Sequence, residues 1–357
     1  MQQKISQNQE RKTRAYLAKC LTLAKKGRPI TSPNPLVGAV LVKNGKIIGQ
    51  GYHRSFGKPH AEVEAISSCK NPRGATLYVN LEPCSHHGKT PPCTDLIIKS
   101  GIKEVVYCTR DPNPRMQGSE ILKKHGIKTQ TGIFEKEARE LNAPFFKHQE
   151  TGLPYITLKI ASSMDFKIWS PTCKTITGPM SRKYVHLLRS HADGVIVGIN
   201  TILKDNPHLT VRHLKGRDPT RIILDGKLRI PLNSHVLSDP NVIICATEAE
   251  AKRRLNKKNK LEKQGIKILT FPTLKNLKPI LKKLASIGKI NILVEGGRQL
   301  NTSFLEANLP DKILLFISGK QLGPRGLDAF SGSSLKNYRL KESIKFGGDS
   351  LLIIQRS

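Results

Sequence analysis

His60-Ala61-Glu62, followed further on by Glu82-Pro83-Cys84-Ser85-His86-His87-Gly88-Lys89-Thr90-Pro91-Pro92-Cys93, is the stretch that decides how this chain is read. One imidazole and two thiols supply three ligands for Zn²⁺ and leave the fourth tetrahedral position to water. A carboxylate two residues from the histidine sits where it can move protons for that water. Taken singly, His60 is an ordinary helix-start residue and each cysteine a small buried hydrophobe. Taken together, with Glu62 and Pro83 in place, they spell H-x-E followed by P-C…C, the layout of zinc-dependent deaminases, in which the glutamate is not a ligand. His60, Cys84 and Cys93 are the expected metal ligands and Glu62 the expected catalytic acid-base. The two cysteines are spaced C-x8-C rather than C-x2-C, so a loop separates the two thiolates.

Around this stretch the first half alternates helix and strand. Residues 10–26 place Tyr16, Leu17, Cys20, Leu21, Leu23 and Ala24 at helical spacing, with Gly27 as the stop. Residues 37–43 and 46–51 flank Asn44-Gly45, a two-residue hairpin signal. Residues 60–69 read as a helix with His60 and Glu62 at its start, and 75–80 as the strand that delivers Pro83-Cys84. A helix is expected over 94–100, a strand over 104–109 and a helix over 119–125. Helices then cover both faces of a mixed sheet, an α/β arrangement. Residues 142–154 break the pattern with two prolines and a glycine. The domain boundary is expected near 150, giving domains 1–150 and 151–357.

The whole chain of 357 residues has room for two cores. No run of about 18 apolar residues exists, so no membrane span is expected. The polar N-terminus lacks the apolar region of a secretory signal. Seven cysteines at this length fit free thiols in a reducing cytoplasm better than a disulfide framework. A net charge of +33, basic in both halves, suits nucleic acid or phosphorylated small molecules. The densest basic cluster, Lys252 to Lys263, reads as a surface helix with few aromatics nearby, which is poor for stacking on single strands.

In the second half strands are expected at 155–161, 194–199, 220–225, 241–246, 266–271, 290–294 and 311–317. Helices are expected near 179–191, 249–263, 275–287 and 298–308. Strand 290–294 runs through Glu295 into Gly296-Gly297 and a helix, a place where a phosphate can approach backbone amides. It is not a G-x-G-x-x-G fingerprint.

EPCSHHGKTPPC, with SPNPLVGAV before it and RDPNP after it, resembles the bifunctional riboflavin-biosynthesis deaminase/reductase family. The likeness continues through LKIASSMD, HLLRSHADGVIVGINTILKDNPHLTVR and LVEGG, about residues 10 to 330. It implies a cytidine-deaminase-like N-terminal domain and a dihydrofolate-reductase-like C-terminal domain. The implied cofactors are Zn²⁺ and NADPH, and the implied substrate is a small phosphoribosyl pyrimidine that is deaminated and then reduced along its ribose. Carried over by position, Asn34, His53, His86 and Lys89 contact the deaminase substrate, and Asp111-Pro112-Asn113-Pro114 forms a pocket wall. Ala161, Thr201, Gly296 and Gly297, within the turn 296–303, contact NADPH. Arg189, Asp205, Leu209, Arg212 and Glu295 hold the ribosyl substrate, the arginines through bidentate donor geometry suited to phosphate.

The chain departs from the family around 163–178. Phe166 stands where glycine is expected, Cys173 where a serine is expected, and Thr175 where a tryptophan would precede Ile-Thr-Gly; Trp169 lies earlier. These differences fall on the cofactor side of the second domain. Two other readings stay open: a deaminase whose second domain does not reduce, and a basic nucleic-acid-binding or base-editing protein on the deaminase fold. Nucleic acid and membrane are not expected partners, and a homo-oligomer stays open.

Overall fold

The computed structural model describes residues 2–86, 91–173, 175–331 and 335–357. The chain divides into two compact units, Met1–Gly152 and Leu153–Ser357.

The first unit runs α1 (Gln2–Ala24), β1 (Gly38–Lys43), β2 (Lys46–Tyr52), α2 (Ala61–Ser67), β3 (Thr76–Leu81), α3 (Cys93–Lys99), β4 (Glu104–Thr109), α4 (Gly118–Lys124), β5 (Lys128–Thr131), α5 (Glu135–Leu141) and α6 (Ala143–Thr151). Its sheet has the order β2-β1-β3-β4-β5. β1 pairs antiparallel with β2 and β3, and β3, β4 and β5 are parallel. Side chains alternate across it. Leu41, Leu77, Val79, Val105 and Tyr107 pack in one core with α2 and α3, and Val40, Tyr78, Val106 and Cys108 pack in another with Leu17, Cys20 and Leu23 of α1. Asn44 and Gly45 take φ of 51° and 74°, the left-handed pair that a tight hairpin turn requires. Gly51 has a different purpose. A Cβ there would lie 2.4 Å from Glu64 Cβ and 2.8 Å from the Ala61 carbonyl, so only glycine lets α2 lie against β2.

The structure departs from expectation in three places here. α1 begins at Gln2, well before residue 10, and its last turn tightens into a 3₁₀ turn, Lys25–Gly27. β5 and α5 were not legible, because β5 is a four-residue edge strand with exposed or half-exposed side chains. Most of 142–154 is α6 rather than a break. Pro144 sits in the first turn, where its missing N–H costs nothing, and Gly152 caps the end at φ 68°.

The second unit runs β6 (Tyr155–Ser162), β7 (Lys167–Trp169), α7 (Pro179–His191), β8 (Gly194–Gly198), α8 (Ile199–Asp205), β9 (Thr220–Leu224), β10 (Val242–Thr247), α9 (Glu248–Arg253), α10 (Leu255–Lys263), β11 (Lys267–Phe271), α11 (Leu277–Ser286), β12 (Asn291–Val294), α12 (Arg298–Glu306), β13 (Lys312–Ser318), β14 (Leu327–Asp328), β15 (Tyr338–Phe346) and β16 (Asp349–Arg356). Its main sheet has the order β11-β10-β9-β8-β12-β6-β13-β16-β15, parallel from β11 to β13 and antiparallel beyond. Ile196, Ile222 and Ile292 pack on one face and Val195, Ile223 and Leu293 on the other. Strands buried on both faces read as the near-continuous apolar runs seen in the sequence.

The expected helix 249–263 is two helices broken at Arg254. The C-terminal hairpin β15–β16 and the small pair β7–β14 were not anticipated. β15 exposes most of its side chains, which erases the alternation that announces a strand. β12 inserts between β8 and β6, so the chain reverses its direction of travel there. In open parallel sheets ligands bind beyond the carboxyl ends of strands at such a reversal.

Candidate zinc and cofactor sites

His60 precedes the first residue of α2 in extended conformation, and Glu62 lies in that helix's first turn, 4% exposed. Cys84 follows the fully buried strand β3 through Glu82-Pro83, and Cys93 is the first residue of α3. His60 Nδ1 lies 3.5 Å from Cys84 Sγ and 3.3 Å from Cys93 Sγ. One ligand atom from each of the three residues falls within 4.8 Å of the others. With Zn–S of about 2.3 Å and Zn–N of about 2.05 Å, a tetrahedral angle separates nitrogen from sulfur by about 3.6 Å. The donor set and its spacing therefore fit zinc. Cys84 Sγ also accepts the Cys93 amide at 3.3 Å. The Cys93 thiol, His60 and that amide bond hold the Cys84 thiol down at about 4. The Cys93 thiol is pushed up by its hydrogen bond to Cys84 and by burial, with the charges of Glu62 and Cys84 adding to the shift. Burial pushes the Glu62 carboxyl up to about 7, with the Cys84 charge adding to the shift.

Of the surrounding expected residues, Asn34 and His53 contact one another. His53, 2% exposed, has Nδ1 3.0 Å from the Pro59 carbonyl and Nε2 3.1 Å from Asn34 Nδ2. The first contact puts the proton on Nδ1, and the second then fixes the amide orientation of Asn34. The His53 ring stands edge-on to His60 at 5.4 Å. His86 is exposed, with Nδ1 3.2 Å from Met116 Sδ. Lys89 lies outside the described residues. Sequence reasoning passed over Glu82, which is 5% exposed. Its carboxylate accepts the Ser119 amide at 2.8 Å and the Asp111 amide at 3.3 Å, tying the cysteine-bearing loop to the Asp111–Asn113 wall. A carboxylate at the end of an all-buried strand was the available signal.

In the second unit, Ala161, Thr201, Glu295, Gly296 and Gly297 lie at or just beyond the carboxyl ends of β6, β8 and β12, at the chain reversal. A Cβ on Gly296 would meet Leu300 Cβ at 2.7 Å, so packing requires that glycine. Gly297 opens α12 and has nothing within 4 Å of a Cβ position, space in which a phosphate can reach the helix amides. Residues and space here fit a nucleotide cofactor.

Arg189 is tied to Glu295. Its Nε and Nη2 grip the Glu295 carboxylate at 2.6 and 3.0 Å, and its Nη1 donates to the Thr210 carbonyl at 3.2 Å. Lys159 Nζ adds a third cationic contact to Glu295 at 3.2 Å. The bidentate fork is thus turned inward. Lys159 was also missed, although a lysine in the middle of an apolar parallel strand signals a buried partner. Asp205 ends α8 and is exposed, whereas Leu209, 3% exposed, buries its side chain in the core with φ 58°. The Arg212 side chain is exposed.

Phe166 adopts φ 57°, the left-handed backbone for which glycine is suited. The turn is held nonetheless. Phe166 N–H donates to the Ser163 carbonyl, and Asp165 accepts the Leu322 and Gly323 amides. β7 then pairs with β14, and Lys204 Nζ sits 3.1 Å from the Trp169 ring centroid. Among the described residues the altered segment is therefore a turn held by Ser163 and Asp165 that leads into a short strand paired with β14.

Together these features define a class: a deaminase unit of the zinc type and a nucleotide-dependent reductase-like α/β unit in one chain. Residues 10–109 match the cytidine and deoxycytidylate deaminase zinc-binding region, and residues 154–352 match the RibD C-terminal domain. The riboflavin biosynthesis protein RibD of Aquifex aeolicus is 47% identical over 92% of each chain. That of Escherichia coli is 36% identical over 94% of this chain and 97% of its own. The RibD structure of Acinetobacter baumannii superposes with a TM-score of 0.89 at 33% identity, covering 97% of this chain and 99% of that one. The chain belongs to the bifunctional riboflavin-biosynthesis deaminase/reductase family, and both halves carry their domain. Neither a lone deaminase nor a nucleic-acid-binding protein is favoured.

Proposed function

We propose that the first unit deaminates a diaminohydroxyphosphoribosylaminopyrimidine and that the second reduces the ribosyl chain of the product with NADPH. A Thermotoga maritima protein of known structure, 37% identical and with a TM-score of 0.85, is named as a diaminohydroxyphosphoribosylaminopyrimidine deaminase and 5-amino-6-(5-phosphoribosylamino)uracil reductase. The observation that carries the reading is the convergence of His60, Cys84 and Cys93 beside buried Glu62. His60, Cys84 and Cys93 would hold zinc, which when bound supplies a water made nucleophilic near neutral pH. Glu62, with a carboxyl near neutrality, takes a proton at one stage and returns it at another. His53 orients Asn34, and Asn34, His86 and Lys89 bind the substrate.

In the second unit Gly296, Gly297, Ala161 and Thr201 would hold NADPH, which when bound would supply the hydride. Arg212, with Asp205 and the Leu209 main chain, holds the phosphoribosyl group. Glu295 and Arg189 act from within their ion cluster. We assign deamination to Met1–Gly152 and reduction to Leu153–Ser357. A cytoplasmic site is supported by seven free cysteines. The test mixes the zinc-loaded chain with the phosphoribosyl pyrimidine and follows ammonia and NADPH absorbance. Glu62→Gln should retain zinc and lose ammonia release by about a hundredfold or more. Undiminished ammonia release in that variant removes Glu62 from its role.

A further inference from the structure

α7 carries His186 and Arg189 on neighbouring positions of one face, and both reach the same piece of main chain, Leu209 to Arg212. That piece belongs to no helix or strand, so side chains fix it. The Thr210 carbonyl accepts from Arg189 Nη1 at 3.2 Å. Val211 N–H donates to Asp218 Oδ1 at 2.6 Å. Arg212 N–H donates to His186 Nδ1 at 3.2 Å. The same Nδ1 lies 3.1 Å from the Thr210 carbonyl, so it either accepts the Arg212 amide with the ring proton on Nε2 or, protonated, donates to Thr210; both contacts tie the ring to this segment. The ring is 5% exposed, with the His213 ring edge-on at 4.5 Å. Burial first, then Arg189, His213 and Arg212, disfavour a charge on it, and they outweigh the Thr210 carbonyl, which favours one.

We propose that His186 is a positioning residue of the reductase: its neutral imidazole accepts the Arg212 amide and so sets the direction from which the Arg212 guanidinium meets the substrate phosphate. This rests on the reading above that Arg212 binds that phosphate. Arg189, anchored on Glu295, steadies the adjoining carbonyl, so the position of Arg212 is set by α7 and the residue after β12 together with Asp218 of its own loop.

The experiment uses the full zinc-loaded chain, the deaminated ribosyl compound with and without its phosphate, and saturating NADPH. His186→Leu keeps the bulk and removes the acceptor, while His186→Asn offers an amide oxygen close to where Nδ1 stood. A lost, buried hydrogen bond of about 1.4 kcal/mol is about tenfold in an equilibrium constant. His186→Leu should raise KM for the phosphorylated substrate by about that factor. Its KM for NADPH and its rate of ammonia release should stay at the wild-type values, and His186→Asn should recover most of the loss. With the dephosphorylated compound, wild type and His186→Leu should have the same KM. An unchanged KM in His186→Leu overturns the proposal, as does an equal loss with and without the phosphate. So does a loss that also reaches NADPH and that asparagine fails to repair, which marks mere packing. Arg212→Met separates the two layers. If it leaves KM for the phosphorylated substrate unchanged, the assignment of Arg212 fails, and the proposal falls with it. If it raises KM while His186→Leu does not, only the positioning role fails.

Discussion

Replacing Glu295 by glutamine should expose how much the second unit depends on one buried carboxylate. The Glu295 side chain is 8% exposed and faces Arg189, 12% exposed, and Lys159, 15% exposed. Although burial by itself raises the carboxyl, the two cations overcome it and hold the group down at about 2 from an ordinary 4.5. That difference amounts to roughly 3 kcal/mol of stability at neutral pH. Removing one partner of a buried ion pair costs about 3–5 kcal/mol by analogy with other proteins, in agreement. The folded value lies below the unfolded one, so this stability is fully present above the unfolded pKa and is lost as pH falls from about 4.5 towards 2. At pH 3 about 2 kcal/mol of it should be gone. Trp169 is the one tryptophan of the chain and lies in the second unit, so urea unfolding followed by its fluorescence reports on that unit. Wild type should exceed Glu295→Gln by about 3 kcal/mol at pH 7, with an unchanged dependence on urea, and the gap should narrow on acidification. A gap under about 1 kcal/mol at pH 7, or one of equal size at pH 7 and pH 3, refutes the claim that this carboxylate is ionised and paired in the core.

Three further outcomes are expected. Cys84→Ser should lose zinc in equilibrium dialysis and lower the thermal midpoint of the first unit, because metal binding is coupled to folding. Gly51→Ala drives a methyl group to within 2.8 Å of the Ala61 carbonyl, so α2 must shift and carry His60 and Glu62 with it. Zinc affinity and ammonia release should fall together while NADPH oxidation on pre-deaminated substrate is retained. At position 166, Phe166→Gly should be more stable than Phe166→Ala by about 1 kcal/mol in chemical denaturation, since alanine keeps the left-handed cost and glycine does not. Equal stability of the two variants would show that the turn relaxes.

The candidate zinc site was legible because its chemistry is local. H-A-E and E-P-C…C each sit on one element end, and residue type alone names the donors. The strands of the second unit were legible for a similar reason, since parallel strands buried on both faces write long apolar runs. What the sequence left out is the pairing of groups far apart in the chain. Arg189 and Arg212 look alike as residues, both apt for phosphate. Only the fold shows that the first is spent on Glu295, 106 positions away, while the second hangs from His186 by its amide. Glu82 and Lys159 stand out in the sequence as charges in or at the end of apolar strands, but their partners, Ser119 and Glu295, come from other elements and only the fold names them. The edge strand β15 was lost because a strand with solvent on its side chains carries no alternation. Residue chemistry and periodicity thus determined the two-unit α/β plan and the metal donors. Tertiary structure decided how charges far apart in the chain pair, as Arg189 does with Glu295, because a buried charge needs a partner to offset its lost hydration.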